Sequence, residues 1–117
     1  MDTFGTYLRK RREALALKRA GFSLRKVASM AGIQPSYLSK IERDQEAPPG
    51  EETIKRLAAA LEVDADMLLA MGGKVSSELQ AIILKRPELM SQVLQELKKL
   101  PQSAVLRLVR EVRDGNW

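Results

Sequence analysis

The sequence predicts an all-α protein, with five short helices up to Met71 and about three more in a C-terminal region. Three observations carry that prediction. Aromatic residues make up only 4% of the 117, and no stretch alternates apolar and polar residues for long, so strands have no signal. Apolar residues recur at helical spacing along nearly the whole chain. Glycines, prolines and cap-forming Ser or Asp residues fall between those stretches, where helices have to start or stop.

The elements follow in order. Phe4, Leu8 and Leu15 form one stripe of a first helix, with Tyr7 and Ala14 beside it, and Gly21 is the expected end of that helix. Ser23 caps a second, short helix from Leu24 to Ala31, which stops at Gly32. Pro35 suits the first position of a third helix, because its missing N–H would be unpaired there in any case. That helix is expected to run to about Arg43. The segment Ala47-Pro48-Pro49-Gly50 reads as a turn, and Glu51 and Glu52 open a fourth helix with charge that suits its dipole. Asp64 caps a fifth helix through Met71. Gly72-Gly73 is the expected linker, dividing a domain at 1–71 from a helical region at 74–117. Pro87 and Pro101 each stand where a further helix would begin.

Composition excludes much. There is no Cys and no His, so disulfides, Cys/His zinc sites, thiol nucleophiles and imidazole bases are ruled out. No Ser/Lys or carboxylate pair is grouped as a catalytic site, and no acidic cluster has calcium-loop spacing, so neither an enzyme nor a cofactor is expected. The N-terminus turns basic at once without an apolar signal core, and no apolar run approaches membrane length; a cytoplasmic protein with no membrane partner is expected. Charge is strongly segregated. Residues 1–43 carry ten Lys/Arg against three acids, residues 44–73 two against seven, and residues 74–117 eight against five. An excess at one end is the footprint of a polyanion-binding surface, although Lys/Arg-rich helices are also simply well solvated.

Residues 23–43, SLRKVASMAGIQPSYLSKIER, decide between those readings. Two helices crossing at close range need a small residue at the contact, and Ala28 supplies it. The tight turn needs a residue free to take positive φ, and Gly32 supplies that. Val27, Ala31, Ile33, Leu38 and Ile41 fall where the pair must bury side chains. Gln34, Ser36, Tyr37, Ser39 and Lys40 are left on the exposed side of the third helix, all able to donate or accept at a base edge.

With those parts on one segment, residues 3–71 resemble the five-helix DNA-binding domain of phage-repressor and Xre-type regulators, and SYLSKIER at 36–43 is close to the family's usual wording. The resemblance implies a transcriptional regulator, a repressor acting as a homodimer on double-stranded DNA at a palindromic operator. It implies base-edge contact by Ser36 and Lys40, phosphate contact or packing for Tyr37, and backbone contacts around Ser23 and Arg25. It also implies an ion pair between Arg12 and Glu42 that ties the third helix to the first. In some relatives a metallopeptidase cleaves the regulator to relieve repression, which makes a derepressing peptidase a candidate protein partner. The alternative class is an antitoxin-like or protein-interaction module whose helix-turn-helix is secondary to binding a partner.

Three departures from the family pattern stand out. The first helix is longer by about one turn, at Ala14 to Arg19. Gln34 stands where Ser or Thr usually caps the recognition helix, so either the cap is weak or the Gln faces DNA. Asp44 and Glu46 make the following loop acidic, which leaves Arg43 and Gln45 as its best phosphate contacts. Of the basic run Arg9, Lys10, Arg11 and Arg12, at most two can face DNA together, because consecutive helical residues point in different directions. In the C-terminal region, Val93, Leu94 and Leu97 on one helix and Val105, Leu108, Val109 and Val112 on the next exceed what a three-helix appendage can readily bury. They predict a two-fold seam, against the alternative that these helices fold back on the first domain.

Overall fold

The computed structural model describes residues 1–117 as eight helices and no strand: α1 (Phe4–Lys18), α2 (Leu24–Ala31), α3 (Pro35–Glu42), α4 (Glu51–Leu61), α5 (Ala65–Met71), α6 (Ser77–Lys85), α7 (Pro87–Lys98) and α8 (Gln102–Asp114). None is long and apolar enough to cross a membrane. The chain divides into two compact units, Met1–Ser76 and Ser77–Trp117.

In the first unit, α2 packs on α4, α4 on α5, and α3 on both α1 and α2. Its core gathers Phe4, Leu8 and Leu15 of α1, Val27, Ala28 and Ala31 of α2, Leu38 and Ile41 of α3, Ile54, Leu57, Ala58 and Leu61 of α4, and Leu68 and Leu69 of α5, with Phe22 from the loop. Side-chain caps start three of the helices: Thr3, Ser23 and Asp64 each accept from the N–H three residues on, which satisfies a donor the first turn leaves free.

Two details of α1 differ from the sequence reading. The helix ends at Lys18 rather than at Gly21. Arg19 has extended angles and lays its guanidinium 5.2 Å over the Phe22 ring while it bonds both carboxylate oxygens of Glu62. Gly21, with φ 99°, then turns the chain toward α2. Ala14 is exposed, because it lies about 100–120° of helical rotation from the Leu8/Leu15 stripe. The other end of the Glu62 contact is equally specific. Glu62 ends α4 with φ 58°, and Arg11 donates to the carbonyls of Leu61 (2.9 Å) and Glu62 (3.3 Å), supplying donors to the acceptors that a helix C-terminus leaves unpaired.

The second unit contrasts with the first. Its α6, α7 and α8 have no buried residue at all. Leu97 and Val105 are half-buried, whereas Val93, Leu94, Leu108, Val109 and Val112 are exposed. All of these but Leu94 line two adjoining, largely apolar grooves of about 370 and 390 Å³ that share Leu97 and Leu108; Leu94 lies outside both.

Candidate nucleic-acid interface

The helix-turn-helix is built from local chemistry. At the end of α2, Gly32 takes φ 72°, and the Ile33 N–H reaches back to the Ala28 carbonyl at 3.0 Å, closing the helix in the left-handed manner that glycine favours. A Cβ at Gly32 would meet only Arg56 Nη1 at 3.5 Å, an ordinary contact. The backbone angle, not lack of space, requires the glycine there. Ala28 is fully buried.

Helix α3 starts with Pro35 at its first position and Gln34 as N-cap, and the Gln34 side chain makes no capping bond, so its amide is left exposed. Along α3 the buried stripe is Leu38, Ile41 and Glu42. Ser36, Lys40 and Arg43 recur at i, i+4 and i+7 on the opposite side and are all exposed, with Ser39 beside them half-buried. Tyr37 packs partly against the core, which leaves it a lesser role at any external surface. Arg43 donates to the Ser39 carbonyl of its own helix at 3.3 Å. Arg25 and Lys26, in the first turn of α2, are exposed and form no ion pair. Gln45 is exposed just beyond α3, its N–H bonded to the Lys40 carbonyl at 2.8 Å.

The face is held in place from behind. Arg12 Nε and Nη2 each donate to one Glu42 oxygen at 2.8 Å, a two-pronged pair with side chains only 14% and 5% exposed, and Nη1 also reaches the Phe22 carbonyl at 3.4 Å. Hydrogen bonding to Glu42 raises the Arg12 pKa, against the opposing effect of burial. Arg12 is therefore committed to scaffolding. The same holds for two of its neighbours: Lys10 pairs with Asp2 at 3.1 Å, and Arg11 caps α4. Only Arg9 of that basic run has no partner among the hydrogen bonds and ion pairs.

Sequence reasoning also missed a contact at the end of α3. The Asp44 carboxylate does not project into the loop after α3. It accepts from the Thr3 hydroxyl at 2.7 Å, across the α1 N-terminus, while that hydroxyl also accepts from the Thr6 N–H. Gly5 permits this approach, since a Cβ there would collide with the Ile41 carbonyl and lie 2.6 Å from Asp44 Oδ1. The only signal for it in the sequence is the acidic character of the loop that follows α3.

A family model described as helix-turn-helix, HTH_3, matches residues 8–68. The chain is 43% identical over 47 residues to the HTH-type transcriptional regulator SlrR of Bacillus subtilis, covering 40% of this chain and 31% of that protein. It is 35% identical over 77 residues to the uncharacterized HTH-type transcriptional regulator RghRB of the same organism (66% and 52%). It is 38% identical over 52 residues to the HTH-type transcriptional regulator SinR, also of B. subtilis (44% and 47%). The matches thus span about a third to a half of these relatives. A solved SinR protein/SinI protein complex aligns with a TM-score of 0.49 at 24% identity, covering 82% of this chain and 95% of that one.

Proposed function

This chain belongs to the helix-turn-helix family, and on that premise we propose that it is a sequence-specific DNA-binding transcriptional regulator that represses by occupying an operator as a homodimer. One observation carries the reading. The exposed side of α3 presents Ser36, Ser39, Lys40 and Arg43 with an uncapped Gln34 at its head, and every other side of that helix is taken up by the core and the Arg12–Glu42 pair. Polar groups on a helix held this way enter the major groove and read base edges. Ser23, Arg25, Arg43 and Gln45 hold phosphates and set the register. Such a regulator acts where the DNA is, in the cytoplasm.

A single domain of this size covers few base pairs, so selectivity calls for two copies with half-sites roughly 34–36 Å apart. The grooves along α7 and α8 suit that pairing, because a second copy would cover apolar side chains that the unit leaves in water. The same bare helices favour a second reading, a module whose main partner is another protein, a derepressing peptidase among the candidates.

Selection of bound sites from a random duplex pool tests the first reading. It should return a two-fold symmetric sequence, with affinity falling by about 0.9 log unit per contacted phosphate for each log unit of salt. Failure to enrich any sequence, or a flat salt response, favours the protein-partner reading.

A further inference from the structure

Asp44 and Glu62 are the two residues other than glycine with positive φ, 60° and 58°. Both are acidic, and each is bound at one end of α1: Asp44 to Thr3, Glu62 to Arg19. A left-handed residue that is not glycine carries some strain, less for Asp than for Glu because a short polar side chain tolerates the angle, and such strain persists where surrounding contacts impose it. Glu62 has two contacts to account for it, the Arg19 pair and the Arg11 cap. Asp44 has one. It follows the C-cap of the recognition helix, where glycine would relieve the strain and remove a negative charge from a phosphate-facing loop. Strain and charge both count against Asp44, and the bond to Thr3 is the visible return.

We propose, on the basis of the DNA-binding reading above, that Asp44 is a positioning residue for that interface. By fastening to Thr3 it fixes the segment 43–47 against α1, so that Arg43 and Gln45 meet phosphates already ordered. No other side chain of the segment can do this. Arg43 bonds only within its own helix, the Asp44 and Gln45 N–H groups close local turns onto Ile41 and Lys40, and the next internal anchors are the half-buried Pro48, beside Gly72, and the buried Pro49. Magnitudes favour the tether. A like charge about 10 Å from a phosphate in water weakens binding by roughly twofold before salt screening. Ordering one long side chain on binding weakens it by roughly threefold to tenfold.

Two substitutions at Asp44 separate tether from charge, since both remove the charge and only one removes the bond. Asp44→Asn keeps an oxygen for the Thr3 hydroxyl and tolerates the left-handed angle. Asp44→Gly loses the bond but relieves the strain. The full chain is titrated with the duplex that the wild type selects from a random pool, and thermal unfolding is followed in parallel. Asp44→Asn should bind as tightly as the wild type or slightly tighter. Asp44→Gly should bind about threefold to tenfold more weakly, with a midpoint of unfolding no lower than the wild type's. Thr3→Ser should bind normally, and Thr3→Val, which also removes the α1 cap and so lowers the unfolding midpoint, should weaken binding no further when combined with Asp44→Gly. Wild-type-like or tighter binding by Asp44→Gly overturns the positioning role alone. A wild type that selects no duplex overturns the DNA-binding reading and this role together.

Discussion

At Lys40 and Glu42, two residues apart on α3, the same helix turns one charge outward and one inward. Lys40 is exposed and forms no ion pair, whereas Glu42 is buried against Arg12. Lys40→Ala should weaken binding to the selected duplex by about 1–3 kcal/mol and relax preference at one base position. Equal weakening toward random DNA would reduce Lys40 to a phosphate contact. Glu42→Ala strands a guanidinium that is itself mostly buried and should destabilise the fold by about 3–5 kcal/mol. Glu42→Gln keeps one acceptor and should cost about 1.5–3 kcal/mol. Urea unfolding measures both, and an unchanged midpoint in Glu42→Ala would show that the pair holds nothing together.

Two glycines make contrasting demands on their elements. Gly32→Ala meets only an ordinary contact with Arg56 but an unfavourable backbone angle, and should lose about 1–2 kcal/mol. Gly5→Ala has ordinary helical angles but would drive a methyl into the Ile41 carbonyl, so α1 and α3 must separate, at about 1–3 kcal/mol or more. If DNA affinity tracks the α1–α3 distance, Gly5→Ala should lose more of it than stability alone explains, by comparison with Gly32→Ala in the same titration. These elements also show what was legible in the sequence. Caps at Ser23 and Asp64, the Gly32 turn and the Pro35 start depend on neighbours a few residues away, so composition and spacing declared them. The end of α1 was misplaced because Arg19 leaves the helix for Glu62, 43 residues on. The Arg11 cap on α4 and the Thr3–Asp44 bond are likewise tertiary, and a basic run or an acidic loop in a sequence does not say which of its charges are already spoken for.

The molecule as a whole should be insensitive to pH near neutrality. It has no His or Cys side chain, and its shifted groups move away from the neutral range. The Arg19 hydrogen bond lowers Glu62, so that contribution to stability is present above the ordinary carboxylate range and is lost as pH falls through the lowered value. Hydrogen bonding to Glu51 raises Lys55, and its contribution is complete below the ordinary lysine value and is lost as pH climbs past the raised one. Thermal midpoints should therefore be level from about pH 5.5 to 8.5 and fall outside it; a slope within that window would mean that another group titrates on unfolding. Truncation after Ser76 removes none of the buried apolar residues and should leave a folded monomer with weak, poorly selective DNA binding. A truncated chain that still pairs would relocate the interface to the first unit. The proposed pairing of α7 and α8 between copies would make abundance itself a control variable. At low copy number, DNA occupancy would rise with roughly the square of chain concentration, and unpaired tails would be the part open to proteolysis. A cell that halves synthesis would then lose more than half of its repression, and would clear the surplus chains faster as they fall apart.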